Sequence, residues 1–311
     1  MNRIVCVAGP TASGKTALAI ALAARLNGEV VSCDSMQIYK GMDIGTAKPT
    51  RDEMQGIVHH MLDIAEPWED FSVGRYCQLA APIVDDIVAR GKTAIISGGT
   101  GLYMDALIRG NNFAPCPSTG VREQLEAQAK EKGMPAMLAL LSSIDPDSAL
   151  KLHLADKKRI LRALEVYYET GETITAHNLK TQQLPPKYKP IWFALEDADR
   201  ADLYKRIDSR VEKMLDDGLL DEIKGLLARG IPEKCTALQA IGYKEFLAFL
   251  RGDCSINEAV LQVQQATRHY AKRQLTWFRR NSAIRWLTRY PGEGTNEILS
   301  KALQFSTDFN N

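Results

Sequence analysis

The stretch Gly9-Pro10-Thr11-Ala12-Ser13-Gly14-Lys15-Thr16 fits G-x-x-x-x-G-K-T at every constrained position. Its glycines let successive backbone N–H groups converge on phosphate oxygens, and a helix starting behind them adds its partial positive charge. Lys15 supplies a mobile full charge, and the Thr16 hydroxyl suits a magnesium ion. Binding of a diphosphate or triphosphate is therefore expected, with Mg2+ as cofactor. Asp34 closes the apolar run "EVVSC" and, in a parallel sheet, falls beside this cradle. It either caps the next segment or serves as a proton acceptor aimed at an incoming nucleophile. Thr100, in the turn "SGGTGLY", offers a hydroxyl to the same crevice or caps the helix beginning at Gly101.

A phosphate cradle first suggests a kinase or a nucleoside triphosphatase. Hydrolytic switches need a second acid on a later strand. The strand "TAIISGG" ends instead in Ser97-Gly98-Gly99, and a guanine-reading N-K-x-D is absent. A small-molecule or nucleoside kinase survives these tests, because such an enzyme can lack that acid.

These residues need a scaffold. The 311 residues are 45% apolar and 25% charged, with a formal net charge of +1, an ordinary balance for a globular chain of more than one domain. Short apolar runs, "RIVCVA", "EVVSCD" and "TAIISGGTG", alternate with helical patterns such as "KTALAIALAARL". That alternation predicts a parallel α/β sheet with ligands at the strands' carboxyl ends. After the turn-rich "NNFAPCPSTG" the texture becomes helical until "QQLPPKYKP", and "IWFAL" then reads as a return to the sheet. We expect a P-loop NTPase-like α/β core with flanking helices over 1–112 and 190–311, and a smaller, mostly helical insertion over 113–189.

The six cysteines include no C-x-x-C pair and no zinc-like spacing, so reduced thiols are expected. His59 and His60 read as structural. The first strand starts almost at the first residue, and no apolar run is long enough to span a membrane. A cytoplasmic monomer with no membrane partner is the expectation.

Several segments resemble the bacterial tRNA dimethylallyltransferases in order and wording: "GPTASGKT", "SCDSMQIYKGMDIGTAKP", "HHMLDI", "SGGTGLY", "QAIGYKE" and "ATRHYAKRQLTWFRR". The likeness runs from Val7 to about Arg280. It implies transfer of a dimethylallyl group from dimethylallyl diphosphate to the N6 amine of the adenosine 3′ of the anticodon. The cradle would then hold a prenyl diphosphate, and the partner would be a tRNA anticodon stem-loop. In that reading Asp34 takes the amine's proton, with Lys15, Thr100 and Arg210 completing the catalytic set. Arg206 and Arg210 share a helical face at i,i+4. The resemblance puts an arginine of this helix at the diphosphate and favours Arg210, while both could also be exposed partners of Asp202 and Asp208. Asp34, Ser35, Met36 and Gln37 would meet the extruded base, with Gln37 reading its edge.

"RHYAKRQLTWFRRN" sets Arg268, Lys272 and Arg279 on one helical side, a stripe for phosphates. Arg273 and Gln274 lie within it, and Trp277 and Phe278 are equally readable as base-stacking or core. The resemblance adds RNA contacts at Arg122, at Lys158, Arg159, Ile160, Leu161 and Arg162, and at Gln239, Gly242, Tyr243 and Lys244.

Overall fold

The computed structural model describes residues 4–111 and 119–305. Cys116 and most of the turn-rich segment at 111–120 therefore lie outside the described residues. The strands are β1 (Ile4–Ala8), β2 (Gly28–Ser32), β3 (His59–His60), β4 (Thr93–Gly98), β5 (Ile191–Asp197) and β6 (Arg285–Arg289). The helices are α1 (Lys15–Arg25), α2 (Val73–Ala89), α3 (Gly101–Arg109), α4 (Val121–Ile144), α5 (Pro146–Ala149), α6 (Lys157–Thr170), α7 (Ile174–Gln183), α8 (Arg200–Asp216), α9 (Leu219–Ala228), α10 (Tyr243–Leu250), α11 (Ile256–Phe278) and α12 (Thr295–Leu303).

The chain divides into two compact units, one of residues 1–110 with 187–311 and the other of 111–186. In the first, all strand pairings are parallel, in the order β3-β2-β4-β1-β5-β6. β1, β4 and most of β2 and β5 are buried, which is why they read as continuous apolar runs without alternation. α1 lays Leu18, Ala19, Leu22 and Ala23 on Val5, Val7, Val30 and Ile95. α2 passes through Pro82 as one helix, started by Ser72, whose hydroxyl accepts the Arg75 N–H. A second core joins Ile38, Tyr39 and Met42 to Ile223 and Leu226 of α9 and to Tyr243 and Phe246 of α10.

β3 was not expected. His59 and His60 pair with Val30 and Val31, and His60 also meets the carboxylate of Glu29 at 2.8 Å. Glu29 is buried and bound by Arg90 and Lys92 as well, so these charges hold its carboxyl far below the usual carboxylate range.

The second unit is helical. Leu125, Met137 and Leu141 of α4 close on Ile160, Leu161 and Leu164 of α6. Asp145 caps α5 by accepting the Ser148 N–H, and it also accepts the Thr175 N–H and hydroxyl, which ties α7 to the same corner.

Candidate active site

The carboxyl ends of β1, β2 and β4 converge on a cavity of about 800 Å³ in the first unit. Thr11, Ala12, Gly14, Lys15 and Thr16 line it from the loop between β1 and α1, and Asp34 and Gln37 from the loop after β2. Ser97 and Gly98 line it from β4, and Arg210 and Met214 from α8. Tyr270 and Gln274 contribute from α11.

The glycines that end β4 have a steric cause. A Cβ on Gly98 would come within 2.0 Å of the Cys33 carbonyl oxygen, and one on Gly99 within 2.1 Å of Gln274 Nε2. No side chain fits at the position where a hydrolase would carry its second acid. The crossing strand tip and α11 occupy that space instead.

Lys15 is half-buried, and desolvation lowers its pKa to about 8, with Asp34 opposing that fall and Arg210 adding to it. Its Nζ donates to the Pro10 carbonyl at 3.2 Å. Burial likewise lowers the Arg210 pKa, and among the described residues this guanidinium has no hydrogen bond or ion pair. Lys15 and Arg210 are thus two desolvated cations beside the Asp34 carboxylate, and the lining also holds Lys48 and Lys213 with Asp43, Glu53 and Asp217; the two desolvated cations suit a polyanion. Buried Ser13 Oγ has no partner within the loop, and the first-turn N–H groups of α1 have no helical acceptor. Both features fit a bound phosphate. For magnesium, the Thr16 hydroxyl and the Asp34 carboxylate are hard oxygen donors on the same cavity. Among the described residues no three His, Cys, Asp or Glu side chains could hold a metal by themselves. An ion here would lean on phosphate oxygens, as magnesium commonly does.

Asp34 caps the segment that follows it. Its Oδ1 accepts Met36 N–H at 2.9 Å and Gln37 N–H at 3.4 Å, capping the next turn, while Oδ2 is left for another partner. Thr100 does not cap α3. Its Oγ1 accepts the Ser35 N–H at 3.1 Å and donates to Ser35 Oγ at 3.4 Å, joining the tips of β2 and β4.

Arg206 is corrected as a diphosphate ligand. Its Nη2 pairs with Asp197 at 2.6 Å and its Nε donates to the Ala12 carbonyl at 3.0 Å, so it braces the cradle from behind. Gln37 is corrected as a base reader, because its Nε2 donates to the Thr46 and Ala47 carbonyls and its Oε1 accepts from Ser32 Oγ. Gln274 likewise is held at both ends, accepting Thr11 N–H at 2.8 Å and donating to Gly99 O at 3.0 Å. Ile160, Leu161 and Tyr243 are fully buried, so their side chains pack in cores and present nothing to RNA. Phe278 is core, whereas half-buried Trp277 donates to Asp105 at 2.9 Å under Arg280.

The cationic residues divide as well. Lys158, Arg159, Lys244, Lys272, Arg273 and Arg279 are exposed, as is Gln239. Arg122 is committed to Glu126 and Glu165, and Arg268 to Asp208. In the second unit Lys158, Arg159 and Arg162 rim a cavity of about 420 Å³ floored by Leu152, Ala163 and Ile174. Tyr270 escaped the sequence reading as a site residue. Burial and the nearby Asp34 charge push its phenol up to about 12, with Thr100 and Gln274 beside it. Its place among the other aromatics of α11, expected at RNA or in the core, hid it.

The model of one family, described as IPP transferase, matches residues 37–281. The chain belongs to the IPP transferase family. A tRNA dimethylallyltransferase from Acetivibrio thermocellus is 42% identical over 310 residues, covering 99% of both chains and so including the phosphate loop. Another from Geobacillus thermodenitrificans is 47% identical over 286 residues, 92% of this chain and 90% of the relative. The crystal structure of a full-length tRNA isopentenylpyrophosphate transferase from Bacillus halodurans superposes with TM-score 0.74 at 40% identity, covering 99% and 96%. A eukaryotic dimethylallyltransferase acting on tRNA gives TM-score 0.86 at 30% identity, covering 99% of this chain and 79% of its own. As an IPP transferase the chain is a transferase on a six-stranded parallel sheet, and the kinase alternative is not favoured. Among the described residues no helix is long and apolar enough to cross a membrane.

Proposed function

We propose that the chain transfers a dimethylallyl group from dimethylallyl diphosphate to the N6 amine of the adenosine 3′ of the anticodon, releasing diphosphate. The observation that carries this reading is the cavity that brings Asp34 together with Lys15 and Arg210, with β4 ending in glycine rather than acid. The cradle of residues 9–16 takes the diphosphate. Lys15, Arg210 and the first-turn N–H groups of α1 gain most from the anion as its charge grows, so they lower the barrier to C–O cleavage. Thr16 and the diphosphate oxygens would hold magnesium, which would supply further neutralisation of the leaving group.

The amine lone pair attacks the allylic carbon, the C–O bond breaks, and the amine proton passes to Asp34 Oδ2. Oδ1 remains tied to the main chain, so the carboxylate is aimed before substrate arrives. The exposed cations of α11, with Lys244, and Lys158 and Arg159 in the helical unit, are surfaces for the anticodon stem-loop phosphates. Incubating tRNA with purified protein, dimethylallyl diphosphate and magnesium should place five-carbon units on tRNA adenosines, read by nucleoside mass spectrometry. Consumption of ATP with phosphorylation of a soluble acceptor, and no such product, would contradict the reading.

A further inference from the structure

Residues 43–48 form one wall of the large cavity, and Asp43, Ile44, Thr46, Ala47 and Lys48 all line it. This wall is neither helix nor strand, so side-chain anchors must set its shape. Glu222 of α9 anchors three consecutive residues. Its Oε2 accepts the Asp43 and Ile44 N–H groups, each at 2.7 Å. Its Oε1 accepts the Gly45 N–H at 3.2 Å and the Tyr243 hydroxyl at 2.6 Å. Successive N–H groups converging on one anion form a nest, here filled by the protein's own carboxylate.

Tyr243 completes the clamp. Its ring is fully buried, and a Cβ on Gly45 would lie 2.5 Å from it, so the loop closes on the ring only with glycine there. Neither Glu222 nor Tyr243 lines the cavity. The aliphatic lining does include Ile44 and Ala47 from the clamped wall, together with Ile20, Ala21 and Met214. A hydrocarbon group has to rest on apolar lining of this kind, to which Ala12, Ala17, Pro49 and the Tyr270 ring also contribute, and Ile44 and Ala47 are the part of it that the clamped wall supplies.

We propose that Glu222 and Tyr243 are positioning residues that fix the 43–48 wall and through it fit the cavity to a short prenyl group. The inference rests on the prenyl-transfer reading and deepens it by assigning donor-length selection to residues outside the cavity. Tyr243→Phe removes one hydroxyl and keeps the ring, and Glu222→Gln keeps the side-chain length. Each is tested in the full chain by varying dimethylallyl diphosphate at saturating tRNA, then tRNA at saturating donor, with geranyl diphosphate as the longer competitor. Loss of one charge-assisted hydrogen bond should raise the donor KM about tenfold, with kcat and tRNA KM within about twofold. Discrimination against geranyl diphosphate should fall in the same variants. A donor KM unchanged in both variants overturns the inference, as does a rise shared equally by the tRNA KM or one that follows the folded fraction measured by thermal melting. A parent protein that transfers no prenyl group contradicts the proposed function instead, so the two failures are distinguishable.

Discussion

Replacing Asp34 by Asn tests the proton-acceptor role with little disturbance of the fold. The amide oxygen can still accept the Met36 and Gln37 N–H groups that Asp34 Oδ1 now holds at 2.9 and 3.4 Å. What disappears is the basic Oδ2 and one negative charge. Removing a positioned general base lowers turnover by about 10²–10⁴-fold, roughly 3–5 kcal/mol of transition-state stabilisation. A second effect follows from the charge. Asp34 holds the Lys15 pKa up against burial, so the variant should lose donor affinity at a lower pH than the parent. Asp34→Ala adds loss of the cap, about 1 kcal/mol of stability. Single-turnover transfer of labelled dimethylallyl groups measures the chemical step, and filter binding measures tRNA affinity separately. Turnover of Asp34→Asn near that of the parent, at unchanged tRNA affinity, would remove Asp34 from the mechanism.

Four further outcomes are expected. Desolvation lowers the Lys15 pKa to about 8 and the ammonium is the binding form, so kcat/KM for the donor should fall as pH rises through that value; Lys15→Arg should abolish that basic limb in the pH–rate profile. Arg210→Ala, which frees no partner, should raise the donor KM by about 10–100-fold with tRNA affinity retained, consistent with loss of one charge-assisted contact. Arg206→Ala, which breaks the ties to Asp197 and Ala12, should instead lower the melting temperature as well as activity. Joint replacement of Lys158 and Arg159 by Ala should weaken tRNA binding and flatten its salt dependence by about one unit of slope per lost phosphate contact, without changing the donor KM.

What the sequence disclosed and what it hid have physical causes. The cradle and Asp34 were legible because each is local: a loop between a strand and a helix, and an acid at a strand tip, have positions fixed by parallel topology. β3 was not, since two residues carry no periodicity and pair only because β2 offers an edge. Arg206 and Arg210 are one helical turn apart on α8, and only Asp197 and the Ala12 carbonyl, brought in by β5 and the cradle, draw the first one out of the cavity. Gln37 reads as a base reader because an amide suits that task, and Gln274 as an RNA contact because it lies in a basic stretch, yet tertiary neighbours engage both ends of each. Tyr243, Phe246 and Leu247 share one apolar face of α10 at i, i+3 and i+4, so the core position of this ring was legible from spacing, and only the family resemblance pointed it at RNA.

The most direct test of the central claim is nucleoside mass spectrometry of tRNA treated with the protein, dimethylallyl diphosphate and magnesium. A five-carbon isoprenoid on the adenosine 3′ of the anticodon, formed by the parent and nearly absent with Asp34→Asn, is the predicted result. Unmodified adenosine in the parent reaction, or equal product from the variant, would contradict it.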